Sequence, residues 1–133
     1  MKNLQVLLFL AVAAGCAGRS TTGSLAIGHR DHDVIGRDEL LDPTVRSLTV
    51  LEAVRAVRPT YLTSRARGGQ SLQDPEAGKV HASIDGISVV PLDDLRKILV
   101  TGVIEIRFLN EAAAMQRFGG AARAGPVILV KTM

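Results

Sequence analysis

One stretch constrains the fold more than any other. Between residues 104 and 130 the apolar pattern changes period twice. Ile104, Ile106 and Phe108 alternate with Glu105 and Arg107. Successive strand side chains point to opposite faces, so this alternation predicts a strand with one buried face. Asn110 then stands as a plausible N-cap for a helix over Glu111 to Phe118, which holds three consecutive alanines. Gly119-Gly120 supplies the permissive backbone of a helix C-terminus. Pro126 opens Val127-Ile128-Leu129-Val130, a continuous apolar run that suits a strand buried on both faces. Strand, helix and strand in this order predict a βαβ unit.

Upstream, the signals are shorter but belong to the same class. Val34-Ile35 is a short strand candidate, and Arg37 to Leu41 predicts a helical turn or two, stopped before Asp42-Pro43. Val50, Leu51, Val54 and Val57 recur at helical spacing. Ser47 or Thr49 can cap that helix, and Thr49 with Glu52 has capping-box spacing. Pro59 ends it, because the residue before a proline avoids helical geometry. Tyr61 to Ser64 reads as extended. Arg67 to Gly78 reads as one long surface loop. Val80, Ala82 and Ile84 alternate with His81, Ser83 and Asp85, and Asp85-Gly86 precedes Ile87 to Val90. Asp-Gly between apolar runs predicts a tight hairpin turn, since both residues tolerate positive φ. Leu92, Leu95, Ile98 and Leu99 predict a short helix with Asp93 and Asp94 in its first turn, where the dipole favours acids. The fold class expected is therefore α+β: a small mixed sheet with short helices, ending in the βαβ unit.

The first fifteen residues follow a different logic. Lys2 is followed by an apolar run from Leu4 to Ala14, broken only by Gln5, and then by Ala13-Ala14-Gly15 directly before Cys16. Charge, apolar core and small residues in this order mark a secretory signal. The run is shorter than the roughly 20 residues that a membrane span requires. The Ala-Ala-Gly-Cys end resembles the lipobox of bacterial lipoproteins, with Ala13 where leucine is commoner. The competing reading is an ordinary signal beside an incidental cysteine. Cys16 is the only cysteine of the 133-residue chain. It therefore has no intramolecular disulfide partner, and acylation with palmitoyl-type chains would account for it. Each buried methylene contributes about 0.8 kcal/mol, and more than one chain makes such an anchor stable. Three units are expected: a signal peptide (1–15), a lipid-anchored tether (16–32) and a folded domain (33–133). Cleavage removes one of the charged residues, Lys2, so the formal net charge of +3 falls by one. That excess is too small to point to nucleic acid, and Tyr61, Phe108 and Phe118 are too few for a base-stacking platform.

Several segments, in order, resemble the plug domain of TonB-dependent outer-membrane receptors. "DVIGRDELL" and "TVLEAVRAVRPTYL" resemble the opening helical region of plugs. "ASIDGISV" followed by "LDDLRKI" resembles their hairpin and the short helix after it. "VIEIRFLNEAAAMQRFGGAARAGPVILVKT" resembles the most recognisable plug segment. There a strand leads through a small-residue helix to an aromatic-Gly pair and then to Gly-x-Ile-x-Val. The likeness covers roughly residues 33 to 132. It implies a plug-like binding or interaction module, tied to the outer membrane at its periplasmic face through Cys16. An outer-membrane barrel or a TonB-type protein would be its partner in uptake. A spanning barrel needs at least about eight strands of 9–11 residues, which the few short strands do not supply. No TonB box is evident between Ala17 and Val34. A receptor remnant without a retained role is a further alternative.

Chemistry-bearing clusters are sparse, and neither catalysis nor a cofactor is expected. His29, Asp31, His32 and Asp33 are competent metal ligands, and in an extended chain His29, Asp31 and Asp33 share one face. A metal-binding protein or metal-dependent enzyme built on them is the alternative function, set against a solvated tether end. Arg65, Arg67 and Gly68-Gly69 could cradle an anion, or form a solvated loop. His81, Ser83 and Asp85 suggest a triad. Alternate strand residues lie roughly 6.6 Å apart, whereas a nucleophile and its base need about 3 Å. A polar strand face ending in a turn aspartate is preferred. Asp93 and Asp94 diverge as helix neighbours and read as N-terminal charges.

Overall fold

The computed structural model describes residues 31–63 and 74–133. The signal segment, Cys16, His29, Ser64, Arg65, Arg67 and most of the expected 67–78 loop lie outside the described residues. The elements run β1 (Val34–Ile35), α1 (Arg37–Leu40), α2 (Val50–Val57), α3 (Thr60–Thr63), β2 (His81–Ile84), β3 (Ser88–Val90), β4 (Val103–Leu109), α4 (Glu111–Phe118) and β5 (Val127–Thr132). Short 3-10 helices cover Leu92–Lys97, Val100–Gly102 and Gly119–Ala122. The fold is mixed α+β, with one five-stranded sheet in the order β1-β4-β5-β2-β3. Only β2 and β5 run parallel; the other neighbours are antiparallel. Among the described residues, no helix is long and apolar enough to cross a membrane.

Local signals account for most boundaries. Thr49 and Glu52 form the reciprocal capping box: the Glu52 amide donates to Thr49 Oγ1, and the Thr49 amide donates to Glu52 Oε2 at 2.9 Å. Two orphan donors at the start of α2 are thereby satisfied. The helix buries Val50, Leu51, Ala53 and Val54 and stops at Val57, ahead of Pro59. Asn110 caps α4 by accepting from the Ala113 amide at 2.9 Å. Asp85 and Gly86 both have positive φ, 53° and 73°, in a turn closed by the Ile87 amide donating to Ile84 O. The loop is one residue longer than a two-residue hairpin. Ile84 pairs with Ser88, which leaves Ile87 85% exposed at the tip.

The apolar run of β5 occupies the centre of the sheet, between β4 and β2. Val127, Ile128 and Val130 are fully buried there. One face of the sheet carries the main core. Ile35, Ile106, Ile128, Val130 and Ala82 pack with Leu40 of α1, Val50, Leu51 and Val54 of α2, and Leu95. Tyr61 closes this core from the side. Its ring stacks on Phe108 with centroids 4.8 Å apart, and its hydroxyl donates to the His32 carbonyl. Burial is the main reason its phenol is pushed up to about 12.

Four expectations need correction. First, the strand–helix–strand segment is not a parallel βαβ unit, because β4 and β5 are antiparallel neighbours. Seven strand residues span about 23 Å, whereas the eight residues of α4 climb only about 12 Å. The helix does not carry the chain back along the strand. Instead β5 starts where β4 finishes, with Val127 opposite Leu109. Second, the alternation over Ile104 to Phe108 is interrupted. A register shift between Val103 and Glu105 buries Val103 and Ile106 and leaves Ile104 half-exposed. An extra residue in one strand moves the following side chains to the other face. Third, Tyr61 to Thr63 are helical, not extended. The fixed φ of Pro59 suits the first turn of a helix, and the Leu62 amide donates to its carbonyl at 3.1 Å. Fourth, the helix at Leu92 is a 3-10 helix ending at Lys97, with Asp93 and Asp94 paired three residues on with Arg96 and Lys97.

Candidate functional site

The residues singled out by sequence separate in the fold. Asp31, His32 and Asp33 stand exposed at the start of the described chain. The Asp33 amide donates to Asp31 Oδ1 at 3.2 Å, so one carboxylate oxygen already closes a local turn. His32 contributes its backbone carbonyl to Tyr61. Among the described residues no group of three or more His, Cys, Asp or Glu side chains could hold a metal ion. His29, the fourth member of that cluster, lies outside them, as do Arg65 and Arg67.

The alternating polar residues of β2 behave differently from a solvated strand face. His81 is 7% exposed and Ser83 is fully buried. His81 Nδ1 lies 3.0 Å from the Lys79 carbonyl, which can only accept, so this nitrogen carries the proton. Ser83 Oγ is buried without a hydrogen-bond partner. Asp85 turns away from both. Its Oδ1 accepts from the Thr132 amide and its Oδ2 from the Thr132 hydroxyl, each at 2.7 Å. These two bonds hold its carboxyl below the usual aspartate range, with Lys131 adding a smaller effect. No hydrogen bond joins the three residues into a relay.

Asp85 and Thr132 lead to a feature that sequence reading missed. The second face of the sheet is only partly covered. Ala114 of α4, Ala122 and Val127 form a small apolar cluster with Leu109 and Phe118 at one end. Beyond that end the face opens into a groove of about 510 Å³, within the usual range for small-ligand sites. The pairings Glu105 with Lys131, Arg107 with Leu129 and Leu109 with Val127 align its floor along β4 and β5. Asp85, Thr132 and Arg117 complete the lining. Arg117 is set by two contacts: its guanidinium lies 5.7 Å from the centre of the Phe118 ring, and it crosses Gly86 closely. A Cβ at Gly86 would stand 2.7 Å from Arg117 Nη2.

The polar groups of this groove are unequally occupied. Glu105 accepts from Arg107 Nε at 3.1 Å, and Asp85 is held by Thr132. No hydrogen bond or ion pair joins Arg117 or Lys131 to another described residue. What the groove still offers is mainly donor capacity from cations, above a floor containing Leu109 and Leu129. Each residue type is visible in the sequence. Their convergence depends on the antiparallel register of β4 and β5, which local periodicity does not encode.

Comparison with protein-family models, curated proteins and solved structures found no match to this chain.

Proposed function

We propose that this protein is a non-enzymatic binding or interaction module, anchored through lipid on Cys16 at the periplasmic face of the outer membrane. In this reading the domain is plug-like and works beside an outer-membrane barrel or a TonB-type partner in uptake. The observation that carries the binding role is the open groove lined by Leu109, Leu129, Arg107 (bonded to Glu105), Arg117 and Lys131, the last two making no hydrogen bond or ion pair with another described residue. The ordered plug-like segments are compatible with the plug-like reading of the domain, since three of them contribute to the one mixed sheet.

Crosslinking in native membranes, followed by purification of the full chain, tests this reading. The expected result is a barrel or TonB-type protein in the crosslinked product. Recovery of monomer alone would overturn the partner. Cys16→Ala is expected to release the chain from the membrane fraction, and retention would overturn the anchor. Stoichiometric metal in the purified chain, lost on His29→Ala with Asp31→Ala, would favour the metal-dependent alternative instead. Unchanged uptake and envelope integrity after deletion would favour a remnant.

A further inference from the structure

The groove on the open sheet face has a chemistry more specific than a general interaction surface. Three cations, Arg107, Arg117 and Lys131, line it against two carboxylates, Asp85 and Glu105. Both acids are engaged within the fold. Asp85 uses both oxygens on Thr132, and Glu105 holds Arg107. Arg117, stacked near the Phe118 ring, and Lys131, which acts on Asp85 only through its charge, make no hydrogen bond or ion pair with another described residue. A planar guanidinium and a rotatable ammonium are suited to carboxylate or phosphate oxygens. The rest of the floor is aliphatic, with Leu109 and Leu129 half-buried beside the stems of Arg107 and Lys131. Long basic side chains lend such stems to apolar contacts while their heads stay polar. A bare inorganic anion would leave this floor uncovered, and a neutral apolar molecule would leave both cations unmatched. No aromatic side chain lines the groove, so nothing there would stack a base.

We infer that the groove takes a small amphiphilic anion: a carboxylate or phosphate held by Arg117 and Lys131, with a short aliphatic group lying on Leu109 and Leu129. This rests on the reading of the chain as a binding module and adds the chemical class of what it binds. The anion could be a free metabolite-sized molecule or the head and first carbons of an anionic lipid. The groove would meet the same chemistry in either case.

The test uses the full chain in phosphatidylcholine nanodiscs, with isoleucine, leucine and valine methyls labelled for NMR. Titration with hexyl phosphate is expected to shift the Leu109 and Leu129 methyls saturably, while Leu95 in the main core stays still. Hexanol and inorganic phosphate should each bind at least about tenfold more weakly, since each lacks one half of the recognised chemistry. The double variant Arg117→Gln with Lys131→Gln should weaken hexyl phosphate by about tenfold or more, because a hydrogen bond to a charged group is worth at least one such factor. Lys97→Gln, which lies on the 3-10 helix and not in the groove lining, should leave binding unchanged. An unshifted Leu95 methyl in the double variant reports that it is folded. Anionic phosphatidylglycerol discs that shift Leu109 and Leu129 without added ligand would support the inference with lipid as the source. Equal binding of hexanol, an unaffected double variant, or shifts confined to residues outside the groove would overturn it. These outcomes are independent of the membrane crosslinking, which can fail while the titration succeeds, and the reverse.

Discussion

The two faces of the sheet are built from the same strands, yet they have opposite fates. On one face Ile106, Ile128 and Val130 are fully buried under α1, α2 and Leu95. On the other, Arg107, Leu129 and Lys131 alternate with those same residues, and α4 covers only the Leu109 and Val127 end. One face is apolar throughout and closes on itself. The other carries Arg107, Leu129 and Lys131 beyond the helix cover and stays open to water there, although Ser83 beside Leu129 is buried. The difference teaches that a central strand need not be sealed on both sides. Burial of Val127 and exposure of Lys131 are decided by how far an eight-residue helix reaches.

The largest test of the contrast is to truncate one leucine-sized side chain on each face. Ile128→Ala should cost about 2–5 kcal/mol in urea unfolding, through lost transfer energy and a residual cavity. Leu129→Ala, its half-exposed neighbour, should cost only about 1 kcal/mol, since less of it leaves water. Equal losses would mean that the open face is packed as tightly as the core face. Next in size is Gly86→Ala. It combines a φ of +73° with a Cβ placed 2.7 Å from Arg117 Nη2, so a loss of about 1–2 kcal/mol is expected. Adding Arg117→Ala should return part of that loss while the backbone share remains. Full additivity in the double-mutant cycle would remove the contact between the turn and α4 from this account.

Two smaller effects separate the faces further. Thr49→Ala removes the capping box at the start of α2, on the core side, and should cost about 1 kcal/mol at any pH where Glu52 is ionised. Asp85 belongs to the open face and should report itself through pH. Its folded pKa lies below the ordinary value of 3.8 because of the bonds from Thr132. The folded state therefore binds that proton less readily than the unfolded chain. The stabilisation is complete above the ordinary value and is lost as pH falls through the folded one. Asp85→Asn should flatten that part of the acid limb of a stability-versus-pH curve. It should not abolish the limb, since Asp42, Glu52 and Glu76 are also lowered by hydrogen bonds. An unchanged limb would mean that the Asp85–Thr132 clasp is absent in solution.

The features legible in the chain were those whose causes lie within a few residues. Thr49 with Glu52, Asn110 before three alanines, and Asp85-Gly86 each satisfy backbone groups close by, so type and boundary follow from local spacing. The run Val127 to Val130 similarly gives a central strand, but the expected burial on both faces fails at Leu129, which is only half-buried on the open face. The helical turn at Tyr61 is not legible locally, because it depends on Pro59 before it and on the distant residues His32 and Phe108. The candidate site was legible only as isolated types. Arg107, Arg117 and Lys131 are ordinary surface cations until a register places them around one floor.

Sequence by itself thus determined most element types, though not the helical turn at Tyr61, together with the caps, the Asp-Gly turn and the aliphatic core, because hydrogen-bonding capacity and apolar period are properties of short segments. Tertiary structure alone decided that β4 and β5 run antiparallel, that Val103 displaces Ile104 from the core, that His81 and Ser83 are buried, and that a charged groove remains on the second face. Those outcomes depend on which distant strands exchange hydrogen bonds and on how much surface a short helix covers. Neither quantity is set by any window of neighbouring residues.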